Sequence, residues 1–111
     1  MMNLPIHRHE DNRRMLFEWI GDYPITTCKA IIMKEDGVLG NHYHNIKRDF
    51  FFLLKGEGHY KIGDTVGQLK EYDCLTAPPT VPHTFSLKAG SILLEASTTP
   101  YNKEDELQIF N

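Results

Sequence analysis

The sequence predicts an all-β fold, a sandwich or barrel, from three observations. Turn residues recur at short intervals: Gly21-Asp22, Asp36-Gly37, Gly40, Gly56 to Gly58, Gly63-Asp64, Pro78-Pro79 and Ala89-Gly90. The segments between them are short and rich in β-branched and aromatic residues. No segment carries an apolar stripe at helical spacing long enough to compete. Many short strands with regular turn punctuation are the pattern of sandwiches and barrels.

In chain order, the expected strands begin with "ITTCKAIIM" (25–33) and the extended stretch holding His42 and His44. "DFFFLLK" (49–55) follows and ends at Gly56. "HYKIG" (59–63) and "TVGQLKEY" (65–72) flank Gly63-Asp64 as a hairpin. The prolines of "PPTVPHTF" fix a turn that delivers His83 to the start of "HTFSLK" (83–88), and "SILLEAST" (91–98) closes the series. "NKEDELQIF" (102–110) suits either a helical turn capped by Asn102 or a terminal strand.

One strand bears on assembly. In 49–55, Asp49, Phe51 and Leu53 share one face, while Phe50, Phe52 and Leu54 share the other. Both faces are apolar, so both should be covered. Leu16, Phe17, Trp19 and Ile20 add a further apolar cluster. A single barrel has one interior, which leads to the expectation of a homodimer with Phe50, Phe52 or Trp19 near the contact.

Composition excludes several classes. At 111 residues, with 41% hydrophobic and 24% charged residues, the chain is expected to form one globular domain over 1–111. A net charge of −3 argues against nucleic-acid and membrane-surface partners. Lys47 and Arg48 are the only adjacent positive pair in "NIKR", which reads as a solvated loop. No signal peptide or membrane-length apolar run is present, so a cytoplasmic location is expected. Cys28 and Cys74 form no CxxC pattern and read as buried free thiols.

The chemistry concentrates in "GNHYHNIKRDFFFLLKG" (40–56). His42 and His44 stand two apart, so in an extended segment both imidazoles point the same way. Two ligands of one metal need that geometry, and a third imidazole with a carboxylate would complete a site for iron, manganese, nickel, zinc or copper. His83 and Asp49 are the candidates. Metal–nitrogen distances near 2 Å require the three imidazoles to converge to roughly 3–5 Å. Each must be neutral to ligate, so binding should weaken below about pH 6. His7 and His9 form a second pair, read as solvated or at a dimer contact.

These residues resemble the cupin superfamily. Its first motif is glycine, five residues, His-x-His, three or four residues, Glu, six residues, Gly. Here His42 and His44 fit, Asp49 takes the Glu position after four residues, and Gly56 follows six residues later; Asp36 occupies the leading glycine slot. In the second motif Pro78 and His83 match, while Tyr72, Thr80 and Leu87 replace two glycines and an asparagine. The resemblance implies an antiparallel cupin-type β-barrel, a jelly-roll-like double-stranded β-helix. Its core would lie at about 25–98, with an N-terminal strand arm over about 1–24. It also implies metal ligation by His42, His44, Asp49 and His83, with Asp49 ligating directly after a backbone shift or through water. Barrel interiors in this family hold the small-molecule substrate, which makes Met33, Tyr43, Phe51, Phe85 and Glu95 candidate pocket walls.

Three functions follow from that resemblance. The first is a metal-dependent small-molecule cupin, whose ion could support dioxygenation, isomerisation or decarboxylation. The second is metal-free acid/base catalysis on a nucleotide sugar by His42 and His44, since "SILLEASTTPYNKEDEL" and the His-x-His strand are similar to nucleotide-sugar ketoisomerases. Leu39, where that family has arginine, and Asp49, where it has glutamine, depart from its pattern. The third is a non-catalytic binding module.

Overall fold

The computed structural model describes residues 6–19, 24–99 and 103–108. The described residues form eleven strands: β1 (Ile6–Glu10), β2 (Met15–Trp19), β3 (Thr27–Ile32), β4 (Gly37–His44), β5 (Asp49–Lys55), β6 (Glu57–Ile62), β7 (Thr65–Lys70), β8 (Cys74–Ala77), β9 (His83–Leu87), β10 (Ile92–Ser97) and β11 (Glu106–Gln108). One sheet has the order β3-β10-β5-β8 and the other β11-β4-β9-β6-β7, with every pairing antiparallel. This is the jelly-roll-like barrel anticipated from the sequence. Residues 103–105 form a 3-10 turn leading directly into β11, so the terminal segment is both turn and strand. Asn102, Ile20 and the Gly21-Asp22 turn lie outside the described residues.

The core lies between the two sheets. Phe51 and Leu53 on β5, Leu75 and Ala77 on β8, and Leu93 on β10 meet Ile62, Leu69, Phe85 and Leu87 from the opposite sheet. Their alternation along each strand is the period-two pattern of a sheet with one face buried. Phe51 and Phe85 pack with ring centroids 4.5 Å apart. The chain can leave β5 for β6 because Gly56 adopts φ +102°, and a side chain there would collide with Ser91 Oγ.

The second apolar face of β5 is covered by the chain itself, which corrects the reasoning toward a partner subunit. Strands β1 and β2 form a separate hairpin whose turn is closed by the Asp11 carboxylate, accepting from the backbone N–H groups of Arg13 (2.8 Å) and Arg14 (3.1 Å). From β2, Trp19 stacks on Phe52 at 5.1 Å, Phe17 lies 5.4 Å from Phe52, and Tyr72 stacks on Phe17 at 4.5 Å. Phe52 is thereby covered within one chain; Phe50 is buried as well, whereas Leu54 is exposed.

One further expectation changes. Cys28 is exposed, because it lies on the outward side of β3; Cys74 is buried and free, its thiol pushed up to about 12 by desolvation. Tyr72 (φ 77°) and Thr80 (φ 69°), the two residues at second-motif glycine positions, both hold left-handed backbone. Each conformation costs a non-glycine residue on the order of 1–2 kcal/mol. Local hydrogen bonds offset it: Tyr72 N–H donates to the Leu53 carbonyl at 2.7 Å and Thr80 N–H to the His44 carbonyl at 2.5 Å.

Candidate functional site

Strands β4 and β9 build one wall of the site. They pair in antiparallel register with His42 opposite His83, after a shift between Gly40 and His42. Gly40 makes that shift possible. It adopts φ +87°, and a Cβ there would stand 2.6 Å from the His83 carbonyl oxygen. His44, two residues beyond His42, projects to the same side. The ring centroids lie 4.8 Å apart for His42–His44, 4.7 Å for His42–His83 and 5.5 Å for His44–His83. Each imidazole offers a ring nitrogen, and the three nitrogens lie within 4.8 Å of one another.

Two backbone carbonyls orient the rings. His44 Nδ1 is 3.3 Å from the Asp105 carbonyl, and His83 Nδ1 is 3.4 Å from the Val81 carbonyl. A carbonyl only accepts, so each Nδ1 carries its proton and each Nε2 presents a lone pair to the site. His44 Nε2 is buried and makes no hydrogen bond. Burial, followed by the Lys47 charge, lowers the His44 pKa. Burial and the neighbouring His42 lower that of His83 to about 4. Both rings are therefore neutral at pH 7.

Asp49, at the start of β5, faces these histidines from the opposite sheet. Its Oδ2 lies 3.6 Å from His44 Nε2 and 3.8 Å from His83 Nε2. Its Oδ1 accepts a 2.6 Å hydrogen bond from Ser97 Oγ and lies 3.5 Å from Lys47 Nζ. Lys47 is only 4% exposed, which corrects the solvated-loop reading of "NIKR" for that residue, while Asn45 and Ile46 are exposed. The loop turns inward because the Asp105 carboxylate accepts from the backbone N–H groups of Asn45, Ile46 and Lys47 at 3.0–3.3 Å. Lys47 Nζ also lies 3.7 Å from Glu95 Oε2, which Lys29 Nζ approaches to 3.5 Å. Burial, then the negative charge of Asp49, raises the Glu95 pKa.

A cavity of about 170 Å³ adjoins the histidines, lined mainly by Ile31, Leu39, Phe51, Phe85 and Leu93, with His42, His83, Lys29 and Glu95 as its polar groups. Of the candidate walls, Phe51, Phe85 and Glu95 line this cavity. Met33 instead packs against the core cluster, and Tyr43, between His42 and His44 on β4, belongs to the opposite face of the strand. Lys47, Ser97 and Asp105 were missed. Two of them left a trace: Lys47 stands two residues before Asp49, and Ser97 two after Glu95, the same-face spacing of extended chain. Asp105 left none.

Residues 30–100 match the family described as Cupin domain. Among curated proteins, gentisate 1,2-dioxygenase of Haloferax sp is 30% identical over 78 residues, covering 70% of this chain and 21% of the relative. The chain thus spans about a fifth of that relative's length. Solved structures of similar fold include a 3,4-ketoisomerase from Helicobacter canadensis, with TM-score 0.87, 18% identity and coverage of 97% of this chain and 90% of that one. The sugar 3,4-ketoisomerase QdtA from Thermoanaerobacterium thermosaccharolyticum, solved in complex with TDP, gives TM-score 0.80 at 18% identity, covering 98% and 88%. The rmlC epimerase of Mycobacterium tuberculosis gives 0.82 at 15% identity, covering 96% and 67%. At these identities the likeness is one of fold.

Proposed function

The chain belongs to the cupin family, and from that premise we propose that it binds one divalent transition-metal ion through His42, His44 and His83. The ion would be iron, manganese, nickel, zinc or copper, and the partner a small molecule in the adjoining cavity. The observation that carries this reading is the convergence of three imidazoles around the bare, buried Nε2 of His44. A buried nitrogen without a partner is costly, and a metal would satisfy it. The donor set also fits: neutral imidazole suits these metals. A bound ion would supply Lewis acidity. The chain's own groups hold the His44 and His83 rings through the Asp105 and Val81 carbonyls and keep these two imidazoles neutral by burial, and apolar side chains form most of the cavity wall.

A second reading is metal-free acid/base catalysis on a nucleotide sugar by His42 and His44. Its support is that Lys47 and Ser97 already meet the charge of Asp49 without an ion, together with the fold likeness to sugar ketoisomerases. The cavity limits how such a substrate would bind. At about 170 Å³ the cavity is small for a whole nucleotide sugar, so this reading places the sugar in it and the nucleotide toward its mouth.

Assembly as a homodimer is proposed through an outer groove of about 380 Å³ lined by Trp19, Cys28, Ala30, Leu94 and Ala96 together with Lys29 and Glu95. Among the described residues no helix is long and apolar enough to cross a membrane.

Titrating chelator-treated protein separately with each of the five metals and with TDP-sugars distinguishes the two chemical readings. The metal reading expects one equivalent to bind and to stabilise the fold by about 2.7 kcal/mol at a hundredfold excess over Kd. Stabilisation by TDP-sugars in the presence of chelator, with none by any metal, would favour the second reading instead.

A further inference from the structure

We propose that Lys47 is a built-in counter-ion that holds Asp49 out of the metal's coordination, leaving a centre of three neutral imidazoles. This rests on the metal reading above and concerns the fourth position, where cupins of the resembled pattern place a carboxylate ligand.

The placement of Lys47 is the first ground. Its ammonium is buried between two carboxylates, 3.5 Å from Asp49 Oδ1 and 3.7 Å from Glu95 Oε2. It is held there by its own loop, since the Asp105 carboxylate captures the N–H groups of three consecutive residues, Asn45, Ile46 and Lys47. Withdrawing the ammonium would leave two buried carboxylates with less compensating charge, an arrangement that strongly destabilises folded proteins.

The binding of Asp49 is the second ground. Oδ1 is shared by Ser97 Oγ and Lys47 Nζ, which fixes the carboxyl group from behind. Oδ2 stands 3.6 and 3.8 Å from the Nε2 atoms of His44 and His83, close enough to share an ion with them, so the charge already met at Oδ1, and not distance, is what withholds it. A dication drawn onto Asp49 would come close to an ammonium in a poorly solvated interior, where like charges repel far more strongly than in water. Lys47, Lys29, Asp49 and Glu95 also form a network of two positive and two negative side chains. Asp49 therefore has its charge met before any ion arrives, and acts on the centre as a positioning residue.

The test measures zinc affinity by calorimetry for the wild type and for Lys47→Met, Lys47→Arg, Asp49→Asn and the Lys47→Met/Asp49→Asn double variant. Asp49→Asn should weaken zinc by about tenfold, the lower end of the loss typical of a residue acting behind the ligands. Lys47→Met should strengthen zinc by about tenfold or more, because Asp49 is released to ligate. The double variant should lose that gain, and Lys47→Arg, which keeps the charge, should behave as wild type. A loss well beyond a hundredfold in Asp49→Asn, or unchanged or weaker zinc binding in Lys47→Met, would overturn the proposal.

Melting temperatures of the metal-free proteins give an independent readout. Lys47→Met should melt several degrees below wild type, and adding Asp49→Asn should restore part of the loss; simple additivity would refute the counter-ion. If none of the proteins binds zinc or any of the other four metals, the metal reading and the coordination proposal fall together, while the melting cycle still decides whether Lys47 neutralises Asp49.

Discussion

Phe52→Ala is expected to destabilise the protein by about 3–5 kcal/mol, the range for deleting a buried phenylalanine ring. Phe52 is 2% exposed and is the point where β5 meets the N-terminal hairpin, through Trp19 and Phe17. Truncation removes the ring and also the surface on which the hairpin stacks, so the site cannot readily collapse. Tyr72 would lose support as well, because it stacks on Phe17. Denaturant unfolding followed by tryptophan fluorescence is a direct check, Trp19 being the single tryptophan in the chain. A loss under about 1 kcal/mol would mean that the hairpin does not cover β5 in solution.

Replacing His83 by alanine should reduce metal affinity by at least about a hundredfold, more than the loss typical of an outer-shell residue. It should also change how the metal-free protein responds to acid. The folded state keeps His83 neutral down to about pH 4, whereas the unfolded chain takes up the proton near the ordinary value of 6.5. Between those two values the unfolded state binds more protons, so stability is present above pH 6.5 and is lost as pH falls toward 4. One pKa unit corresponds to about 1.4 kcal/mol, so His83 contributes on the order of 3 kcal/mol to this loss. His44, whose pKa is also lowered, acts in the same direction. His83→Ala should therefore flatten the acid side of the stability–pH profile. An unchanged slope would show that His83 is not buried neutral. The same burial moves the expected acid release of metal below the pH 6 anticipated from unperturbed imidazoles.

The barrel was legible because strands report themselves through alternation and turns. "DFFFLLK", "HTFSLK" and "SILLEAST" became β5, β9 and β10 with boundaries shifted by no more than a residue or two. The histidine cluster was legible because His42 and His44 share a face by spacing alone, while His83 follows a proline-fixed turn. What escaped was the polar support. Lys47 looked like solvent-facing charge, since nothing nearby in sequence shows that Asp105, distant along the chain, draws its loop inward. Cys28 looked buried from its apolar neighbours, although β3 lies at a sheet edge and places it outward. Phe50 and Phe52 suggested a second subunit because residue counts cannot show that a hairpin folds back onto its own barrel.

X-ray absorption at the zinc edge, on protein loaded with one equivalent, tests the central claim most directly. The account predicts three imidazole nitrogens at about 2.0–2.1 Å and no sulphur ligand, with one imidazole lost in His44→Ala. A spectrum showing one imidazole or none, or three imidazoles that persist unchanged in His44→Ala, would contradict a metal centre at His42, His44 and His83.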